Sequence, residues 1–273
     1  MSTPGIQTVL VPLDGSERAE AALRPAVQLA ERMDADLVLV TTAWEGTRIE
    51  TVRRYLDVHI ALLERDAEPL VVLDQEAPDA ILTAAREPGA LVCMTTHGRG
   101  GVMSAVLGSV AEAVVRGANG PVVLMGPWMG SDWVLPALPT VLAGFDGSAP
   151  ACAGVRAAGD LAAALGARVR VVEIAQLPDI VHVSRFRAGH VDELEEAVGE
   201  LRVTGVEAAY EVLDGVDEAD TLIAEAARSD AALLALGTHG RQGLARIALG
   251  SVTSRVVRHA TLPVLVACPG HAS

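Results

Sequence analysis

The chain has 273 residues, 51% of them hydrophobic and 21% charged, which is enough apolar material for a packed core and too little charge for a disordered chain. Its formal net charge is −14, with 18 acids against 10 arginines up to Asp132 and 17 against 11 beyond it, so long-range repulsion opposes binding of either half to nucleic acid or an anionic membrane. All 21 basic residues are arginine, which excludes a Walker-type phosphate loop, a pyridoxal Schiff base and a protein kinase, each of which needs a lysine.

Taken in chain order, the opening Met-Ser-Thr-Pro-Gly lacks the basic-then-apolar pattern of a secretory signal. The apolar runs are far shorter than the ~20 residues of a membrane span. Cys93, Cys152 and Cys268 form no CxxC pair, so a reducing cytoplasm is the expected location. β-branched runs predict strands at Thr8–Leu13, Asp36–Thr42, Leu70–Leu73, Ala90–Met94 and Pro121–Leu124. Helices fit between them. The first is capped by Ser16, carries Glu17 and Glu20 near its positive end, and runs to about Arg32. The stretch 127–139 holds three prolines, a glycine and two tryptophans, and reads as a short linker docked on the domains by its aromatic rings.

The same order then repeats, with strands expected at Thr140–Phe145, Ala167–Ile174, Val206–Val212, Ala231–Leu236 and Pro263–Ala267. Thr8 to Ser16 matches Thr140 to Ser148 at six of nine positions, an offset of 132 residues. Thr96 to Ser109 matches Thr238 to Ser251 at eight of fourteen, an offset of 142. Continuous apolar strands separated by helices describe a parallel sheet covered on both faces. The expected fold is α/β: two tandem doubly wound domains, 5–126 and 140–268, each with five parallel strands. The apolar last strands, Pro121–Leu124 and Pro263–Val266, would pair the halves as an internal pseudo-dimer and so cover two exposed edges.

Ligands of open parallel sheets sit at the carboxyl ends of the strands, where glycine turns lead into helix N-termini. Each half offers two such ends: Asp14-Gly-Ser and Asp146-Gly-Ser after the first strand, and Thr-His-Gly-Arg followed by Gly108-Ser109 or Gly250-Ser251 after the fourth. Gly-Ser opening a helix gives unhindered amides, a capping hydroxyl and a positive macrodipole end, which suit an anion. An N-cap alone would explain each in isolation; their convergence on one sheet edge in both halves favours a ligand. No serine, cysteine or acid is placed to complete a catalytic group with His97 or His239. The acids Asp192, Glu193, Glu195, Glu196 and Glu200 read as the solvated face of a helix, without the spacing of a calcium loop.

Gly237, Gly240, Gly250 and Ser251 carry the spacing Gly, two residues, Gly, nine residues, Gly-Ser. With the Asp-Gly-Ser turns, they make the chain resemble the universal stress protein family in both halves, an adenine nucleotide alpha hydrolase-like fold. The resemblance implies an ATP site in the second half built from Asp146, Ile174, Gly237, His239, Gly240, Arg241, Gly250, Ser251 and Val252, with magnesium accompanying the phosphates. In the first half it implies Pro12, Asp14, Thr42, Thr95, Gly98, Gly108 and Ser109. Thr95 departs from the pattern at the place of Gly237; its bulk and its resistance to positive φ predict weaker ATP binding there. The expected function is a stress-response nucleotide binder with little or no turnover, no catalytic residues and no resident metal, its association into a homodimer left open. The alternatives are an ATP-using enzyme of the same class, which would need a Ser-Gly-Gly-x-Asp-Ser loop at Leu13–Glu17, or an interaction module without a nucleotide.

Overall fold

The computed structural model describes residues 5–44, 46–97, 107–176, 183–238 and 249–267. In the first half the strands are β1 (Thr8–Pro12), β2 (Asp36–Ala43), β3 (Glu68–Leu73), β4 (Ala90–Thr95) and β5 (Val122–Met125). The second half has β6 (Thr140–Phe145), β7 (Arg168–Gln176), β8 (Ala208–Gly215), β9 (Leu233–Gly237) and β10 (Val264–Ala267). All ten form one sheet in the order β3-β2-β1-β4-β5-β10-β9-β6-β7-β8. Every pairing within a half is parallel. The halves meet where β5 and β10 run antiparallel, with Val264 opposite Leu124, Leu265 opposite Val123 and Val266 opposite Val122. Both strands are buried along their whole length, so the expected joining of the halves through their last strands is the arrangement found.

Alternation along each strand sends side chains to two cores, one on each face. Val9, Val11, Leu91, Val123, Val141 and Leu265 enter one; Leu10, Val92, Leu124, Leu142, Leu234 and Val264 enter the other. Both cores run through both halves, because the sheet does.

The helices are α1 (Glu17–Glu20), α2 (Leu23–Met33), α3 (Ile49–Leu62), α4 (Ala77–Ala84) and α5 (Ser109–Gly117), then α6 (Ala149–Leu165), α7 (Val183–Val203), α8 (Glu218–Arg228) and α9 (Ser251–His259). The expected single helix from Ser16 to Arg32 is thus broken at Ala21 and Ala22. Pro25 explains the break: it has no N–H for the carbonyl of Ala21 four residues back, and its ring crowds that carbonyl. The counterpart α6 is continuous, because its proline, Pro150, lies in the first turn where no intrahelical donor is required. Ser16 and Ser148 cap their helices alike, each Oγ accepting from the backbone N–H three residues on at 3.2 Å.

Between Met125 and Thr140 the backbone forms no regular element and lies against α2. Arg24 donates to the Ser131 carbonyl at 2.8 Å, and Gln28 Oε1 accepts from Leu135 N at 2.8 Å. Trp133 packs into both cores and its indole N–H donates to Ala232 O at 3.2 Å, whereas Trp128 is 57% exposed. On α7, Leu194 and Val198 face the core while the five acids singled out above face solvent.

Candidate functional site

β1 and β4 are neighbours in the sheet, and their outgoing connections diverge to opposite sides, so a crevice opens at their carboxyl ends. In the first half this crevice is a cavity of about 870 Å³. Pro12, Asp14 and Gly15 approach it from β1, Thr41 and Thr42 from β2, Thr95, Thr96 and His97 from β4, and Gly108 and Ser109 from the start of α5. The structure therefore brings together every residue proposed for the first half except Gly98, which lies outside the described residues.

Asp14 is exposed at the mouth, where its Oδ1 accepts from Ser16 N at 3.0 Å and from Ser16 Oγ at 2.6 Å. Gly15 between them has φ +78°, a conformation that favours glycine. Asp146, Gly147 and Ser148 repeat the turn, with Asp146 Oδ1 accepting from Ser148 N at 3.0 Å and Gly147 at φ +72°. The carboxylates are thus held in place by their own turns, facing the strand ends. Near Asp146 stands Glu218, whose carboxyl is pushed above its ordinary range by burial and by the charges of Asp146 and Asp217.

The capping role expected of Ser109 and Ser251 is not what the structure shows. Gly108 and Gly250 occupy the N-cap positions, and each serine is the first helical residue with no side-chain cap bond. At Gly108 close approach requires the glycine, since a Cβ there would sit 2.6 Å from Thr96 O; the Gly108 and Gly250 amides donate to the carbonyls of Thr96 and Thr238. Ser109 and Ser251 are exposed, with their hydroxyls at the positive ends of α5 and α9.

The contrast between Thr95 and Gly237 also has a different cause from the one the sequence suggests. Neither residue has a positive φ, so Thr95 meets no backbone penalty. Its hydroxyl donates to His97 O at 3.1 Å. At Gly237 a Cβ would overlap the carbonyl of Pro150 at the start of α6, and a Cβ on Gly154 would lie 2.6 Å from the Gly237 nitrogen. The two glycines let α6 press against β9. The counterpart of Gly154 in the first half, 132 residues earlier, is Ala22, at the break between α1 and α2, and there Thr95 has room. Thr253 then fixes the Gly237 carbonyl by a 2.7 Å hydrogen bond.

In the second half Ile174 is half-buried in β7, Val252 half-buried in α9, and Gly250 and Ser251 open that helix. His239, Gly240 and Arg241 lie outside the described residues. Arg255, one turn after Ser251, binds Asp217 and Asp220 at 2.6 Å each and so ties α9 to α8.

Sequence reasoning missed the outer wall of the first-half cavity, which comes from Trp44 and from Thr51, Val52 and Tyr55 of α3. Tyr55 OH donates to Glu20 at 2.9 Å, His59 Nε2 lies 3.2 Å from the same oxygen, and the two rings meet edge to face at 4.6 Å. The spacing of Tyr55 and His59 by four residues, one helical turn, was the available signal. Among the described residues no three His, Cys, Asp or Glu side chains gather as a metal site, and no helix is long and apolar enough to cross a membrane.

Comparison with known proteins follows the same division. The profile of the Universal stress protein family matches residues 5–125 and again 138–267. A universal stress protein of Mycolicibacterium smegmatis is 28% identical over 300 residues, covering 96% of this chain and 97% of its own. Universal stress protein Rv2005c of Mycobacterium tuberculosis is 30% identical over 185 residues, 65% of this chain and 61% of its own. The crystal structure of a universal stress protein from Archaeoglobus fulgidus superposes with a TM-score of 0.69 at 18% identity, covering 97% of each chain, which supports the fold. Two profile matches in tandem and a relative of the same two-unit length establish that the chain belongs to the universal stress protein family, with two of its domains in one polypeptide.

Proposed function

We propose that the chain is an ATP-binding stress-response protein of the cytoplasm that holds nucleotide at its strand ends without turning it over. The observation that carries this reading is the 870 Å³ cavity at the β1/β4 divergence, where Asp14, Thr42, Gly108 and Ser109 converge. Asp14 or Asp146 would accept from sugar hydroxyls, and the amides and hydroxyl at the start of α5 or α9 would face phosphate. In the second half Gly237, Gly240, Gly250 and Ser251 complete the spacing on which the resemblance rests. Magnesium would arrive with the phosphates, since the described side chains do not gather into a site that fits a resident ion. The strand ends have no Ser-Gly-Gly-x-Asp-Ser loop to drive ATP-dependent transfer. Calorimetric titration of the full chain with ATP tests the proposal. Ser251→Ala leaves helix α9 intact and is expected to weaken the second-half site by about tenfold if its hydroxyl contacts charged phosphate. Unchanged affinity would remove that site, and phosphate released on incubation would refute the absence of turnover.

A further inference from the structure

In the second half the strand order β9-β6-β7-β8 lays three different groups side by side. The Gly250 amide, bonded to Thr238 O, sets the start of α9 at the end of β9, and Asp146 follows β6. Ile174, near the end of β7, lies beside the first turn of α8, where a Cβ on Gly215 would meet both Ile174 Cγ2 and Thr221 Oγ1. Phosphate is drawn to the helix N-terminus and sugar hydroxyls to the carboxylate between, so a base on the same molecule extends over β7 to α8. The opposite orientation would turn phosphate toward Asp146 and Glu218, which stand close enough for the charge of one to act on the other.

Glu218 is the first residue of α8 and is half-buried. The corresponding helix of the first half, α4, begins with Ala77, which lines the cavity there. One half therefore has a methyl group where the other has a carboxyl. The turn that carries Glu218 is firmly held: Asp217 Oδ1 accepts from Asp220 N at 2.9 Å, and Arg255 of α9 binds both acids at 2.6 Å. A side chain on a supported turn is placed to read a ligand.

We infer that Glu218 is a specificity residue of the second half, accepting a hydrogen bond from the exocyclic amino group of the base and opposing an oxygen at the same place, so that the site selects 6-aminopurine over 6-oxopurine nucleotides. The inference rests on the nucleotide reading above. A carboxylate only accepts, and its lone pairs serve several donors at once, so the contact displaces no other partner.

The full chain is titrated calorimetrically with ATP and with inosine 5′-triphosphate, which carries an oxygen in place of the amino group; the second-half site is the one that Ser251→Ala weakens. That site is expected to bind ATP at least about tenfold more tightly than the inosine compound. Glu218→Gln keeps the shape of the side chain and adds an amide that donates, so it is expected to bring the two affinities within about threefold. Glu218→Ala, which reproduces Ala77, is expected to narrow the difference in the same way by weakening ATP. Equal affinity of the wild type for the two compounds, or a preference that survives both substitutions, overturns the inference and leaves the nucleotide reading standing. If Ser251→Ala weakens no site for either compound, the nucleotide reading of the second half fails and the inference with it.

Discussion

Thr95 and Gly237 end β4 and β9, and each is explained by the helix that packs over it. A side chain at 237 would run into the Pro150 carbonyl, whereas the side chain at 95 fits and bonds to His97 O at 3.1 Å. Gly237→Thr is therefore expected to cost about 2 kcal/mol of stability through overpacking, and Thr95→Gly less than about 1 kcal/mol. Urea unfolding of both variants checks this; equal losses would show that α6 yields to the added atoms. The result also bears on function, because loss of ATP binding in Gly237→Thr would report a displaced helix as readily as a blocked ligand. The glycine and its spacing were legible in the sequence, but the atom that forbids a Cβ there was not. That atom belongs to Pro150, 87 positions earlier in the chain, and only the approach of α6 to the sheet makes it a neighbour.

Strands were the most readable elements, since β-branched runs buried on both faces leave little choice of conformation. The shift of β3 to start at Glu68 and of β9 to start at Leu233 moves ends, not elements. The break between α1 and α2 had a signal in Pro25, overridden by the alanine and leucine stripe on either side. Helix α8 shows what the sequence conceals about electrostatics. Its Glu225 is 5% exposed, with Arg228 Nε at 2.7 Å and Arg170 of β7 at 2.8 Å, and these arginines hold its carboxyl below the ordinary range. A depressed carboxylate contributes stability that is fully present above its unfolded value of roughly 4.3 and is lost as pH falls through the lower folded value. Glu225→Gln should remove that acid dependence, and Glu225→Ala, which leaves Arg170 half-paired beneath α8, should cost about 3 kcal/mol at neutral pH. Melting temperatures measured from pH 7 down to pH 3 distinguish the two: a wild-type curve parallel to that of Glu225→Gln would deny the pair its role.

At the scale of the whole molecule, the halves are one sheet. Each buries its last strand in the other, and Gly126, just beyond β5, lies so close to α9 that a Cβ there would overlap the Val257 carbonyl. Either half expressed alone would expose a fully apolar edge strand, so both are expected to dimerise or precipitate. Sedimentation showing a stable soluble monomer of either half would count against that. Because the two pairing strands sit in one polypeptide, the seam closes at a fixed effective concentration: dilution does not open it, and no half can be exchanged for that of another protein. A dimer of identical chains must carry every substitution twice, once at each site. Here a substitution falls on one side only, so the strand ends beside Thr95 and beside Gly237 were free to diverge while sharing a single sheet.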